Sequence, residues 1–337
     1  MHYTLSRAEL NEIAASAEPI TRRAAAFLEK LHRVVRFDGA WLAVADPVTH
    51  AYTSLGSKDL DRSTLSYLGG PRTARDIERT GANRARHPVS PSDRPYPVEE
   101  IQTWADCLLP AGYRESLCVA LFAPGGRHVG LLSLLSSSRE PASPAARRRL
   151  GAITAVLSKG VDPMRSMYAA TGVVQGATAG VVVRVDGATQ PLPGLDGHSL
   201  LARDSPVVEA AWRAIRAGDV YRSFLWPLGG RHAPGGHVRV TVLGTACEVP
   251  ELHAGMVVLS PLTQCRGLTP RELEVLGHLV QGHSNREIAR RLVLAQRTVA
   301  SHVEHILVKF DASTRTLAAV RADREGLYVP LAHSRTT

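Results

Sequence analysis

Residues 284–306, SNREIARRLVLAQRTVASHVEHI, permit few folds. Ser284 and Glu287 stand three apart at the head of a helical pattern, the spacing at which each side chain satisfies the other's orphan backbone N–H. Ile288, Ala289 and Leu292 then share one face, while Arg286, Arg290 and Arg291 stay outside it. A short turn leads to a second stripe, Val299, Val303, Ile306 and Phe310. Upstream, LTPRE repeats the start signal: Thr269 as cap, Pro270 in the first turn, Glu272 closing the box. Leu273, Leu276 and Val280 follow at helical spacing, and Gly282 ends that helix. Ser313 is expected to start a fourth helix carrying Leu317 and Val320. Helices this short bury their apolar stripes only against one another, so the pattern predicts a small tri-helical core whose second and third members are joined by a tight turn. One face of the third helix is left outside. At 100° per residue it holds Arg297, Ser301, Glu304, His305 and Val308, a surface of the size that enters a DNA major groove.

These residues resemble the LuxR-type DNA-binding domain. LTPRE, G-x-S-N-R-E-I-A, TV-x-x-H and K-x-x-x-x-x-R fall in order with that family's gaps, over about 55 residues from Leu268 onward. The resemblance implies a four-helix domain that binds DNA as a dimer, with a third helix at 296–310 reading the major groove and a fourth at 313–322 forming the dimer contact through Leu317 and Val320. The positions it brings to DNA are Arg286, Gln296, Arg297, Thr298, Ala300, Ser301, Glu304, His305, Lys309 and Arg315. Three positions depart from the family pattern. Ala295 stands where a serine often caps the third helix, Ala300 where a lysine is frequent, and Glu304 in place of another frequent cation. Phosphate binding is then expected to rest on Arg297, Lys309, Arg315, Arg286 and backbone N–H groups at helix starts. Glu304 can accept from cytosine N4 and repel a misplaced phosphate. Residues 268–322 hold eight Lys/Arg against five Asp/Glu, a net of +3.

Two α+β segments precede the helices. In residues 1–162, ITRRAAAFLEKLHRVV reads as a helix, AWLAVAD and AYTSLG as a hairpin, and SLCVALFAP and HVGLLSLLS as a second hairpin turning at Gly125-Gly126. SPAARRRLGAITAVL closes the segment as a helix, with Ser143 as cap and Pro144 at its first position. This order resembles a GAF domain. The resemblance implies a small-molecule pocket between the sheet and the variable stretch 57–112, with Trp104, Cys107 and Tyr113 as candidate lining residues, although core packing alone accounts for all three. Residues 163–262 carry GVVVRVDG, a helix SPVVEAAWRAIRAG capped by Ser205, and the strands YRSFLWP, HVRVTVLG and AGMVVLS. They look like a PAS-type sensor or a structural relay in which Trp212, Phe224 and Trp226 are core. The expected architecture is multidomain: a GAF-like α+β domain at 1–162, a small PAS-like α+β domain at 163–262, and an all-α four-helix domain at 263–337.

Composition narrows the function classes. Forty basic against 31 acidic residues leave a net charge of +9, which suits an anionic partner. Only Lys30, Lys58, Lys159 and Lys309 are lysines, however, and such an arginine and alanine bias also follows from a GC-rich genome. Cys107, Cys118, Cys247 and Cys265 lack C-x-x-C spacing, and His302 and His305 have no further ligand at an evident spacing, so neither a disulfide frame nor a zinc site is expected. The start MHYTLSRAELNEI lacks the basic-then-apolar order of a signal peptide, and no run of about 18 apolar residues exists, so a cytoplasmic chain without membrane contact is expected. There is no P-loop, no G-x-G-x-x-G after a strand and no G-x-S-x-G elbow. The sequence thus predicts a non-enzymatic, cofactor-free regulator. Its expected partners are double-stranded DNA, a second copy of itself, a small-molecule effector and RNA polymerase. Two alternatives stay open: a module that titrates another transcription factor, and a redox enzyme using Cys107 and Cys118.

Overall fold

A computed structural model describes residues 7–165, 167, 172, 174–230, 235–244, 249 and 252–331; Cys247 lies outside them. The chain divides into two compact units, Met1–Arg165 and Ser166–Thr337.

The first unit is a four-stranded antiparallel sheet in the order β2-β1-β4-β3. Its strands are β1 (Gly39–Ala45), β2 (Tyr52–Lys58), β3 (Glu115–Phe122) and β4 (His128–Ser136). Every residue of β1 is buried, because the strand lies inside the sheet and both its faces are covered. Helices α1 (Arg7–Ala15), α2 (Ile20–Leu31) and α5 (Pro144–Gly160) form one cluster of elements packed with the sheet. α5 starts as its sequence requires: Ser143 accepts from the Ala146 N–H at 3.2 Å, with Pro144 next in line. Trp41, Ala43 and Ala45 alternate onto the other face. There they meet the stretch between the hairpins, which folds as α3 (Arg62–Leu68), α4 (Pro71–Thr80), short 3₁₀ turns and a π-helical turn at Trp104–Leu108. The β3–β4 turn has both Gly125 (φ 88°) and Gly126 (φ 85°) left-handed, which is the reason for two consecutive glycines.

The second unit opens with a five-stranded antiparallel sheet in the order β6-β5-β9-β8-β7. Its members are β5 (Ala179–Arg184), β6 (Thr189–Pro191), β7 (Tyr221–Pro227), β8 (His237–Leu243) and β9 (His253–Pro261). The three-residue β6 is an edge strand with no apolar alternation, which is why sequence pattern does not reveal it. α6 (Pro206–Arg216) packs on β8 and β9 and is capped by Ser205, whose Oγ accepts from the Val208 N–H at 3.1 Å.

Four helices complete the unit: α7 (Pro270–Val280), α8 (Asn285–Leu292), α9 (Gln296–Lys309) and α10 (Arg315–Glu325). α10 begins one residue later than the Ser313 start expected from sequence. Thr314 is its cap, accepting from the Leu317 N–H at 3.1 Å, and the helix runs past 322 to Glu325. The helices and the sheet share one apolar cluster, in which Leu276, Ile288, Val299 and Ile306 are continuous with Val183, Phe224, Val240 and Val257. The chain following α10 seals the join. Gly326 turns with φ 63°, and a Cβ there would lie 2.6 Å from Ser223 Oγ, so only glycine fits. The Leu225 N–H on edge strand β7 donates to Tyr328 O at 2.8 Å, and Arg239 donates to Glu325 O at 2.7 Å. That contact covers part of an otherwise open sheet edge.

Candidate nucleic-acid interface

The helix-turn-helix is built from its caps outward. Thr269 N donates to Glu272 Oε2 at 2.7 Å, and Thr269 Oγ1 accepts from the Glu272 N–H at 3.3 Å. Ser284 and Glu287 form the same reciprocal pair at α8, with Ser284 N donating to Glu287 Oε2 at 2.7 Å. α8 ends at Val293, whose left-handed backbone (φ 54°) is unusual for a β-branched residue, and Leu294 and Ala295 complete a three-residue turn into α9. Ala295 caps α9 with no side-chain hydrogen bond, as a methyl group must. The first N–H groups of α9 are therefore available to an external acceptor such as a phosphate oxygen.

α9 buries Val299, Val303 and Ile306 and exposes Gln296, Arg297, Ser301, Glu304, His305 and Val308. Thr298 and Ala300 are half-buried beside that face. Arg286 and Arg297 are exposed, and neither has an ion pair among the described residues. Arg290 and Arg291 on α8 share this condition and join them as free cations, a point the sequence marks only by keeping them off the apolar stripe.

Lys309 and Arg315 are placed differently. Lys309 Nζ donates to Glu272 Oε2 and to Gly267 O, both at 2.7 Å. Glu272 is buried with its side chain only 3 % exposed. Burial alone would raise its carboxyl, but Lys309 and the Thr269 donors outweigh that and hold it below the usual carboxylate range. Arg315 donates to His283 O and, at 3.4 Å, to Asn285 Oδ1, pinning the start of α10 to the start of α8. Both cations therefore hold helices in place within the domain.

His278 is buried at the end of α7, with its Nδ1 3.1 Å from Nδ1 of His283. Burial, then the neighbouring His283, pull it down to about 4, so it is neutral at physiological pH. Of the two residues expected at a dimer contact, Leu317 packs against the shared core and Val320 is 43 % exposed.

Trp104, Cys107 and Tyr113 belong to one buried cluster of the first unit. Trp104 lines a cavity there. Cys107 and Tyr113 are not among the residues that line it; the Tyr113 hydroxyl donates to Asp59 O at 3.1 Å, and burial raises the Cys107 thiol. In the second unit Phe224 is fully buried, while Trp212 and Trp226 are partly buried against the same core.

Residues 266–322 match the family model "Bacterial regulatory proteins, luxR family". They form a LuxR-type helix-turn-helix domain. Over 60 residues the chain is 47% identical to the transcriptional regulatory protein LiaR of Bacillus subtilis, covering 18% of this chain and 28% of LiaR. Over 61 residues it is 43% identical to the nitrate/nitrite response regulator NarL of Escherichia coli, with the same two coverages. The chain thus spans 28% of the length of these curated relatives. Among solved structures, the GAF domain of a phosphoenolpyruvate-protein phosphotransferase from Coxiella burnetii aligns at 13% identity and a TM-score of 0.35, covering 48% of this chain and 94% of that one. No helix among the described residues is long and apolar enough to cross a membrane.

Proposed function

We propose that this chain is a transcriptional regulator that binds a short, two-fold symmetric DNA site as a dimer. The observation that carries the reading is the exposed face of α9, where Arg297, Ser301, Glu304 and His305 stand clear of the core above an uncapped helix start. Phosphate contacts fall to Arg286, Arg297 and the first N–H groups of α9. Base contacts fall to Ser301, Glu304 and His305, with Gln296, Thr298 and Ala300 alongside. Val320 on α10 supplies the dimer contact. Residues 1–162 act as a GAF-like sensor, residues 163–262 as a PAS-like relay, and residues 263–337 as the reader, in a chain that works in the cytoplasm beside RNA polymerase. A signal acts by binding one dimer arrangement better than another.

A second reading is an interaction module that titrates another transcription factor. It is favoured by Ala300, Glu304 and an 80 % exposed Val308 on the outward face, which supply apolar surface and negative charge where DNA prefers cations. The double variant Ala300→Lys/Glu304→Lys separates the two. A DNA reader selects a changed set of sequences, and its salt slope steepens by roughly two units. A module that has lost DNA reading gains affinity for any duplex with no change in sequence preference. A redox enzyme is disfavoured because burial pushes Cys118 up to about 12 and raises Cys107, leaving both as unreactive thiols.

A further inference from the structure

The first unit carries a cavity of about 500 Å³ between the stretch after α2, the start of α5, the first residues of β3 and the last of β4. That volume falls within the size range of small-molecule sites, about 300–1,000 Å³. Strand register fixes the side of the sheet on which it lies. Glu115 is opposite Ser136 and Leu117 is opposite Leu134, so these four side chains share one face. Leu131 and Leu135 alternate onto the other face, in the cluster of Trp41 and Trp104. The cavity is therefore on the helix-covered face. Space is left there because the α5 side of its wall is built from the small residues Ala142, Ser143 and Ala146.

Glu115 lines this cavity without a counter-ion. It is 4 % exposed, its Oε1 accepts from the Ser116 N–H at 2.8 Å, and it has no ion pair among the described residues. A buried carboxylate ordinarily faces a cation. Arg33, Arg36 and Arg149 line the same cavity; all three are exposed and none has an ion pair among the described residues. Exposed Glu140 offsets one of their charges. The cavity thus sets an unpaired negative group inside a rim that is positive on balance. Buried Val35, Leu117 and Leu134 complete the wall with apolar surface.

We propose that this cavity binds a free amino acid with an aliphatic side chain, its ammonium on Glu115, its carboxylate on the rim guanidiniums and its side chain against Leu117 and Leu134. The inference gives a ligand to the sensing role of residues 1–162 and rests on that reading for its regulatory meaning. Both polar contacts are charge-assisted hydrogen bonds, roughly twice as strong as neutral ones, so a ligand that carries both charges is preferred to one of similar shape that lacks either.

The test titrates the full-length protein with L-leucine, with 4-methylpentanoate, which lacks the ammonium, and with 3-methylbutylamine, which lacks the carboxylate. It follows the heat of binding and thermal stability. The expected result is an affinity for leucine at least about tenfold above that for either fragment. Glu115→Gln, which keeps the shape and removes the charge, abolishes leucine's advantage over 4-methylpentanoate. The triple variant Arg33→Gln/Arg36→Gln/Arg149→Gln abolishes its advantage over 3-methylbutylamine. The three arginines are exposed, so the triple variant keeps the melting temperature of the unliganded protein. Glu115→Gln keeps or raises it, because a buried unpaired charge is removed. Leucine bound no better than its fragments, no binding of leucine at millimolar concentration, or a leucine affinity unchanged in Glu115→Gln overturns the inference. So does a Glu115→Gln protein that melts lower, since the carboxylate would then serve the fold. A chain that selects a DNA site yet fails these tests refutes this inference and leaves the DNA reading standing. Leucine bound through Glu115 by a chain that selects no DNA supports the inference and refutes the regulator.

Discussion

Single residues in the LuxR-type domain separate into those that hold the fold and those that face out, and the two groups make opposite predictions. Lys309 neutralises a buried carboxylate, so Lys309→Ala leaves Glu272 charged, with the Thr269 N–H but without its lysine. The expected loss is about 2–3 kcal/mol of stability in urea denaturation, where a residue that only touched phosphate would change nothing. Arg297→Ala should keep its denaturation midpoint, weaken DNA binding and lower the salt slope by roughly one unit. Sequence could not distinguish these two cations. Both lie outside the apolar stripe, and the partner that distinguishes Lys309 is 37 residues away along the chain. His278 adds a pH dependence. Its folded value of about 4 lies below its ordinary 6.5, so the unfolded chain binds the extra proton between those values. The contribution is complete above pH 6.5 and disappears as the pH falls toward 4, on the order of 3 kcal/mol in total. The depressed Glu272 acts in the same direction at lower pH. Stability measured from pH 7 to 4 should therefore fall, and His278→Leu should flatten the upper part of that fall; an unchanged slope in that variant would remove His278 as its source.

Helices and strands were the most legible level. Caps at Thr269, Ser284, Ser143 and Ser205 are local chemistry written within three residues, and each is present as expected. The missing cap at Ala295 was equally readable, and it predicts a gain. Ala295→Ser supplies a side-chain acceptor at the head of α9 and should stabilise the domain by about 1 kcal/mol, seen as a rise in melting temperature. The same serine would compete with phosphate for those N–H groups, so any change in DNA affinity should be small or negative. The contact between the chain after α10 and strand β7 was not legible, because a hydrogen bond between Leu225 and Tyr328 leaves no periodic signature in either segment. At Gly326 the left-handed turn that ends α10 coincides with the approach of Ser223. Gly326→Ala already carries the Cβ that meets Ser223, so it should cost more than the ordinary penalty for a left-handed residue, about 2 kcal/mol or above, and adding Ser223→Gly should recover part of that loss. No recovery in that double variant would mean that the approach of Ser223 is of no consequence.

At the scale of the whole molecule, the order of elements along the chain was readable, and the grouping of the last two segments into one compact unit was not. Apolar stripes announce that a helix will be buried without naming what buries it, and Ile288 and Val240 prove to share a cluster. That sharing predicts common protection. In native-state hydrogen exchange, amides in β8 and in α7 should open with similar free energies, and slow exchange in one beside fast exchange in the other would show that sheet and helices unfold independently. In the function proposed above, the exposed face of α9 reads DNA sequence. Selection from a random duplex library with the full-length protein, at about 0.1 M salt so that phosphate attraction is partly screened, tests it most directly. The expected result is enrichment of a two-fold symmetric site that is lost in Arg297→Ala and altered in Glu304→Gln. Enrichment of no sequence, or of one indifferent to both substitutions, would contradict it.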